Sequence, residues 1–338
     1  MRTRGLASLC LAALGGVGSS CGPATPDDPC AGIACVAVLP AVFTDTTVGA
    51  IHDRFDTYGC ADATTLDGGE IVYRVTLPEE GFFVAQTDGG STALRLLGSL
   101  DAEDCLDAHA TAVGALLPAG DHYVIVDSAA GAEGEYTLRM ALTTPATFEA
   151  RGVSAALAAD ALTVFSNAWA WGATRRTEYV IVDFTLRSAE PREWVFDLST
   201  GELLWHLRVA HGRLSTDGVD LARAVTFSNE SGSNQSSLGL FRSAGPYVGT
   251  FGPSFRLEGL EPGLNDAVCA RDIVMHPWAP MGDEYVTRCG WARPSLGCPA
   301  IDSLLSMPVR DRLARPDGTP LSEGVAMLFW VPGTDWHA

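Results

Sequence analysis

Two residues in the last quarter of the chain have the chemistry to work as a pair. His276 sits near the end of the apolar run "IVMHP" (273–277), and Cys298 follows 22 positions later in "SLGCP" (295–299). A thiol is a strong nucleophile only as thiolate, and an imidazole within hydrogen-bond reach can take its proton. A cysteine paired with a histidine at a strand end is the minimum needed for acyl transfer. Gly297, directly before the cysteine, lets the backbone turn tightly and present amide N–H groups to a developing oxyanion. Ser295 can orient that loop or hold substrate. The competing fate of Cys298 is a disulfide, the ordinary outcome for a cysteine outside the cell.

The N-terminus bears on that choice. It reads "MRTRGLASLCLAALGGVGSSC": a short basic start, an apolar run from Leu6 to Val17, then small residues leading to Cys21. This is the layout of a signal peptide over residues 1–20, and the run is short for a bilayer span. "VGSSC" is similar to a bacterial lipoprotein processing site, which implies a lipid on Cys21 as the chain's one link to a membrane. Gly18 stands where a bulky aliphatic is usual, and cleavage near Ser20 without lipidation is the alternative. Of nine cysteines, Cys10 leaves with the signal and Cys21 is taken by the lipid. Seven then remain, an odd number that points to one unpaired thiol, whereas without lipidation eight remain and parity no longer favours one. The expected pairs are Cys30 with Cys35, Cys60 with Cys105, and Cys269 with Cys289, the last bracing the stretch that carries His276. The rival pairing, Cys289 with Cys298, would remove the nucleophile, and spacing does not decide between them.

The positioning elements are mainly β. Hydrophobic residues make up 47% of the 338 positions and charged ones 19%, a globular balance with length for two domains. Residues 21–45, rich in Pro and Asp at their start, read as a tether. Residues 46–145 read as a β-sandwich module: "EIVYRVTL", "GFFVAQT", "HYVIVDS" and "EYTLRMAL" are short strands between Gly/Asp turns. "TTPATFEARG" (143–152) reads as a linker. "VSAALAADALTVFSNAWAWG" predicts a helix of about 18 residues, stopped by Gly172. "EYVIVDFTL", a hairpin turning at Ser199–Gly201, and "GVAMLFWVP" predict the strands of a second, mixed domain at 150–335. The net charge of −19, from 41 acids against 22 bases, argues against a nucleic-acid partner.

Several blocks carry a family resemblance. "VIVDFTLRSAEPREWVFDLSTGELLWHLRVAHG", "TFSNESGSNQSSLGLF", "FRLEGLEPGLND", "IVMH" and "SLGCPAI" occur in the order found in L,D-transpeptidase catalytic domains, and the second domain resembles the murein subgroup of that family. The first module resembles, in rhythm and turn residues, the pre-peptidase C-terminal sandwiches of secreted bacterial enzymes.

The resemblance implies an α+β, mainly β fold and a cysteine acyltransferase acting on peptidoglycan stem peptides. It implies no metal and no organic cofactor. Cys298 matches the nucleophile and His276 the general base, oriented through the backbone carbonyl of Pro277, where Gly is usual. Ser295 and Gly297 match the Ser-x-Gly-Cys loop. His211 matches a histidine near the site, and Asn234, Gln235 and Ser236 match a polar block expected to line the cleft. A turn-forming role is the alternative for each of these polar residues. Ala300 stands where many members carry Arg or Asn, and Arg293 is the candidate to replace that contact. The expected setting is the periplasm or cell envelope, with the chain acting as a monomer. The rival functions are a carboxypeptidase or other cysteine hydrolase on the same polymer, and a non-catalytic envelope lipoprotein with every thiol bridged.

Overall fold

The computed structural model describes residues 33–50, 54–60, 65–89 and 92–334. The signal segment, Cys21 and Cys30 lie outside the described residues, and with them the lipid and the Cys30–Cys35 pairing.

The first module is a two-sheet sandwich. Its strands are β1 (Ala34–Val36), β2 (Ala41–Thr46), β3 (Ile71–Leu77), β4 (Gly81–Asp88), β5 (Thr92–Leu97), β6 (Cys105–His109), β7 (Ala112–Leu117), β8 (Gly120–Ser128) and β9 (Glu135–Thr143). They pair as β1-β3-β8-β5-β6 and β2-β9-β4-β7. The expected tether is corrected here. Residues 34–46 are strands of both sheets, because β1 pairs with β3 and β2 with β9. Between the sheets lie Tyr73, Val75, Phe83, Leu94, Val124, Leu138 and Met140. Cys60 and Cys105 form the expected disulfide.

The linker is also more ordered than the sequence predicts. α1 (Pro145–Glu149) follows β9 almost at once, and it buries Phe148 completely. α2 (Ala155–Ala170) matches the predicted helix. Ser154 caps it by accepting the Leu157 N–H, and Gly172 ends it at a φ of 68°, a left-handed geometry that suits glycine.

The second domain is built on one eight-stranded sheet. Its elements are β10 (Glu178–Asp183), β11 (Glu193–Asp197), β12 (Glu202–Leu207), β13 (Gly239–Gly249), β14 (Gly252–Gly259), β15 (Val274–Pro277), α3 (Asp283–Cys289), β16 (Ala300–Ile301), α4 (Ser306–Leu313) and β17 (Ala326–Trp330). The order is β12-β11-β10-β17-β13-β14-β15-β16. β10 and β17 read as unbroken apolar runs because both faces are covered. Tyr179, Ile181, Leu328 and Trp330 face a core shared with α2, while Val180, Val182, Met327 and Phe329 face a second core with α4.

The first of these cores joins the two domains. Phe82, Val84, Ala112 and Ala141 of the sandwich pack in it with Phe148, Phe165 and Trp169. Phe82 meets Phe165 edge-on, with ring centres 5.0 Å apart. Ala158, Ala161 and Ala168 keep α2 slim enough to sit between two sheets. Asp107 of β6 accepts hydrogen bonds from the Trp169 indole at 2.9 Å and from Arg175 at 2.8 Å.

Candidate active site

Register brings the two candidate residues to one edge of the sheet. His276 of β15 lies opposite Ala300 of the parallel strand β16, and its N–H donates to Pro299 O at 3.4 Å. Cys298 precedes Ala300 by two residues and so sits one pleat back along β15. There the backbone of Val274 hydrogen-bonds the thiol, and Sγ–H donates to Asp272 O at 3.6 Å. Side chains two apart share a face of a strand, so Val274 and His276 are on one face. The ladder's N–H donors toward β16 come from His276 and Trp278. Pro277 falls between them, where its missing N–H breaks no bond to that strand.

The imidazole is held on two sides. Nδ1 lies 2.9 Å from Pro277 O, which fixes the proton on Nδ1 and leaves the Nε2 lone pair as the basic site. Phe251, at the tip of the β13–β14 hairpin, stacks on the ring at 4.5 Å and 21°, and Trp278 meets it edge-on at 6.2 Å. Burial holds the imidazole below the ordinary histidine value, against the Pro277 carbonyl, which favours the cation. Burial also raises the Cys298 thiol, against the Val274 hydrogen bond and the Arg271 charge, which favour the thiolate. Burial thus acts in one sense at both groups, favouring the uncharged imidazole and the uncharged thiol.

Gly297 is a steric requirement. Its φ is 122°, and a Cβ there would meet Gln235 O at 2.8 Å. Its own N–H donates to Ser295 Oγ at 3.1 Å. The Cys298 N–H, by contrast, has no partner among the described residues. Ser295, nearly buried, donates from Oγ to Cys298 O at 2.6 Å, so it holds the loop rather than a ligand.

The remaining candidates lie behind the loop. His211 is fully buried, and its Nδ1 accepts from Arg192 at 2.7 Å. Burial and that guanidinium push it down to about 3, so it stays neutral and acts as a brace: its carbonyl accepts the Ser295 N–H at 2.8 Å. Asn234 takes a left-handed φ of 53° and bonds back to Gly232 O. Gln235 bonds Leu214 O and Thr226. Ser236 Oγ links the Gly212 N–H to Gly297 O. Of the three residues expected to line the cleft, Ser236 is buried, while Asn234 and Gln235 are half-buried with these bonds near the surface. Arg293 is exposed, and its carbonyl accepts the Trp278 indole N–H at 3.3 Å.

The expected Cys269–Cys289 bridge is also corrected. Both are exposed free thiols, and Cys298 is free as well. Cys289 ends α3 beside Tyr285, whereas Cys269 sits in the turns after β14, so the two belong to different supports. Cys35 is likewise free among the described residues. Sequence reasoning missed Arg271, which donates to Ser228 O, Ser237 Oγ, Ser233 Oγ and Gln235 O. It ties the loop at 228–237 to the nucleophile, and no spacing rule in "CARDIVMH" signals it. Phe251 and Arg192 were missed for the same reason.

Among the described residues no cluster of His, Cys, Asp or Glu has the form of a metal site, and no helix is long and apolar enough to cross a membrane.

A histidine on one strand and a cysteine two residues before the parallel strand beside it, at the edge of a β-rich domain fused to a sandwich, define the class. The chain belongs to the L,D-transpeptidase catalytic domain family, which it matches over residues 149–317. That span opens in α1 and closes after α4, and membership supports a peptidoglycan-related transpeptidase role. The chain is also weakly similar to the pre-peptidase C-terminal domain of collagenase from Bacillus anthracis. Identity is 12%, coverage 32% of this chain and 93% of that one, and the TM-score 0.24. PliG from Aeromonas hydrophila, a periplasmic inhibitor of g-type lysozyme, is similar to the same degree: 12% identity, 33% and 97% coverage, TM-score 0.24. No curated protein is significantly similar in sequence.

Proposed function

We propose that the chain is a peptidoglycan L,D-transpeptidase acting through Cys298. The observation that supports this reading most is an unbridged Cys298 two residues before the strand that pairs with His276, whose Nδ1 is tied to Pro277 O. His276 Nε2 takes the thiol proton as Sγ attacks the carbonyl of the third stem residue, a diamino acid. The oxyanion is received by the Cys298 N–H, which has no other partner among the described residues. Collapse breaks the C–N bond, and His276 returns its proton to the departing D-alanine amine. The thioester then accepts an amine from a neighbouring stem. His276 removes that amine's proton and hands it back to sulfur, restoring the thiol. A positioned base of this kind contributes about 10²–10⁴-fold.

The chain acts in this reading as a monomer outside the cytoplasmic membrane, in the periplasm or envelope, with a lipid on Cys21. Metabolic labelling with a fatty acid, lost in Cys21→Ser, tests the anchor. The activity is tested by incubating purified protein with tetrapeptide muropeptides. Cross-linked dimers between third residues, made by wild type and absent with Cys298→Ala, are expected. Shortened stems alone would mean transfer to water, and equal product profiles for the two proteins would refute the assignment.

A further inference from the structure

The site as described has a nucleophile and a base but no group that recognises charge on the donor. A tetrapeptide stem is anionic, and the chain carries a net charge of −19, so a bound stem needs a local cation. Arg271 cannot supply its fork: both terminal nitrogens are taken by the four internal hydrogen bonds. Ala300 has no polar side-chain atom.

Arg256 is placed differently. It lies directly opposite Val274 in the β14–β15 ladder, and Val274 is the residue whose backbone bonds the Cys298 thiol. Residues opposite each other across a ladder have Cβ atoms about 5 Å apart on the same face. Its neighbours on β14, Phe255 and Leu257, point into the core, so Arg256 points out, exposed, on the face that carries Val274 and His276. The guanidinium stacks over the Tyr247 ring at 4.4 Å, and it has no hydrogen-bond or ion-pair partner among the described residues. A planar cation pinned on an aromatic face, with its donors open, is suited to bidentate carboxylate binding. The phenol of Tyr247 itself lies within the electrostatic reach of Cys298, Arg256 and Asp272 together.

We propose that Arg256, held by Tyr247, binds a carboxylate of the donor stem beside Cys298. The proposal rests on the transpeptidase reading of the site. Two carboxylates could occupy it: that of the departing D-alanine, and the side-chain carboxylate of the diamino acid.

The test compares Arg256→Gln and Arg256→Lys with wild type on three donors: the free acid, the stem amidated at the terminal D-alanine, and the stem amidated at the diamino acid. Wild type is expected to lose about tenfold to a hundredfold in kcat/KM on one amidated donor, which identifies the carboxylate. Arg256→Gln is expected to be weak on the free acid, mainly through KM, and indifferent to that amidation. Arg256→Lys is expected to restore part of the preference. Arg293→Gln tests the competing assignment of this contact, which the resemblance offered, and is expected to keep the preference. Equal discrimination in wild type and Arg256→Gln, or its loss in Arg293→Gln alone, overturns the proposal. The same affinities are read by calorimetry with Cys298→Ala proteins, which needs no turnover. Wild type inactive on every donor would count against the transpeptidase reading, and the calorimetric ratio would still decide on Arg256.

Discussion

Cys298 sits between opposing influences. Burial and Asp272 favour the thiol, while the Val274 hydrogen bond and Arg271 favour the thiolate. Tyr247 is the other titrating group in reach, and His276 lies one pleat along. Arg271→Met removes a side-chain cation that favours the thiolate, so the midpoint of the pH profile for Cys298 alkylation is expected to move upward. Arg271→Lys keeps a charge but loses the fork, and is expected to hold the midpoint nearer wild type. An unchanged midpoint in Arg271→Met would reduce Arg271 to a loop brace. His276 and Cys298 stood out as candidates in the sequence because histidine and cysteine are scarce, with 7 and 9 in the chain, and Gly297 because it directly precedes the cysteine. His211 was not: "AHG" does not reveal that the ring is buried behind the loop against Arg192. Arg271 acts through residues some 35 positions away in sequence, a contact that exists only after folding.

The β13–β14 hairpin is the element that governs the base. Its tip residue Phe251 is 54% exposed and covers His276, whose depression comes first from burial. Phe251→Ala lets water reach the ring. The imidazole value then rises toward the ordinary 6.5, and the acid limb of the pH–rate profile is expected to shift to higher pH. An acid limb that stays in place would mean that other residues keep the ring dry. The strands and α2 were legible because their apolar runs and caps are local signals. The strand character of residues 34–46 was not. Its short pieces "ACV" and "AVFTDT" gain their pairing from β3 and β9, far along the chain, and carry little propensity of their own.

At the scale of the whole molecule the two domains are not beads on a string. A core that takes Phe82 from one and Phe165 from the other couples their stabilities. Residues 33–334 are therefore expected to unfold in one calorimetric transition. Phe82→Ala, at a cost of about 3–5 kcal/mol, is expected to lower that whole transition, and two separate transitions would contradict the shared core. This coupling was invisible to a reading that placed a linker at 143–152. It matters for function because α2, β10 and β17 form the platform on which the edge strands of the site are laid. The central claim is that Cys298 is the acyl-carrying nucleophile on that platform. It is tested most directly by mass spectrometry of the protein quenched during reaction with a tetrapeptide stem. The account predicts a hydroxylamine-labile adduct, equal to the stem acyl group without its terminal alanine, on the peptide that contains Cys298. An adduct on another cysteine, or Cys298 found in a disulfide, would contradict it.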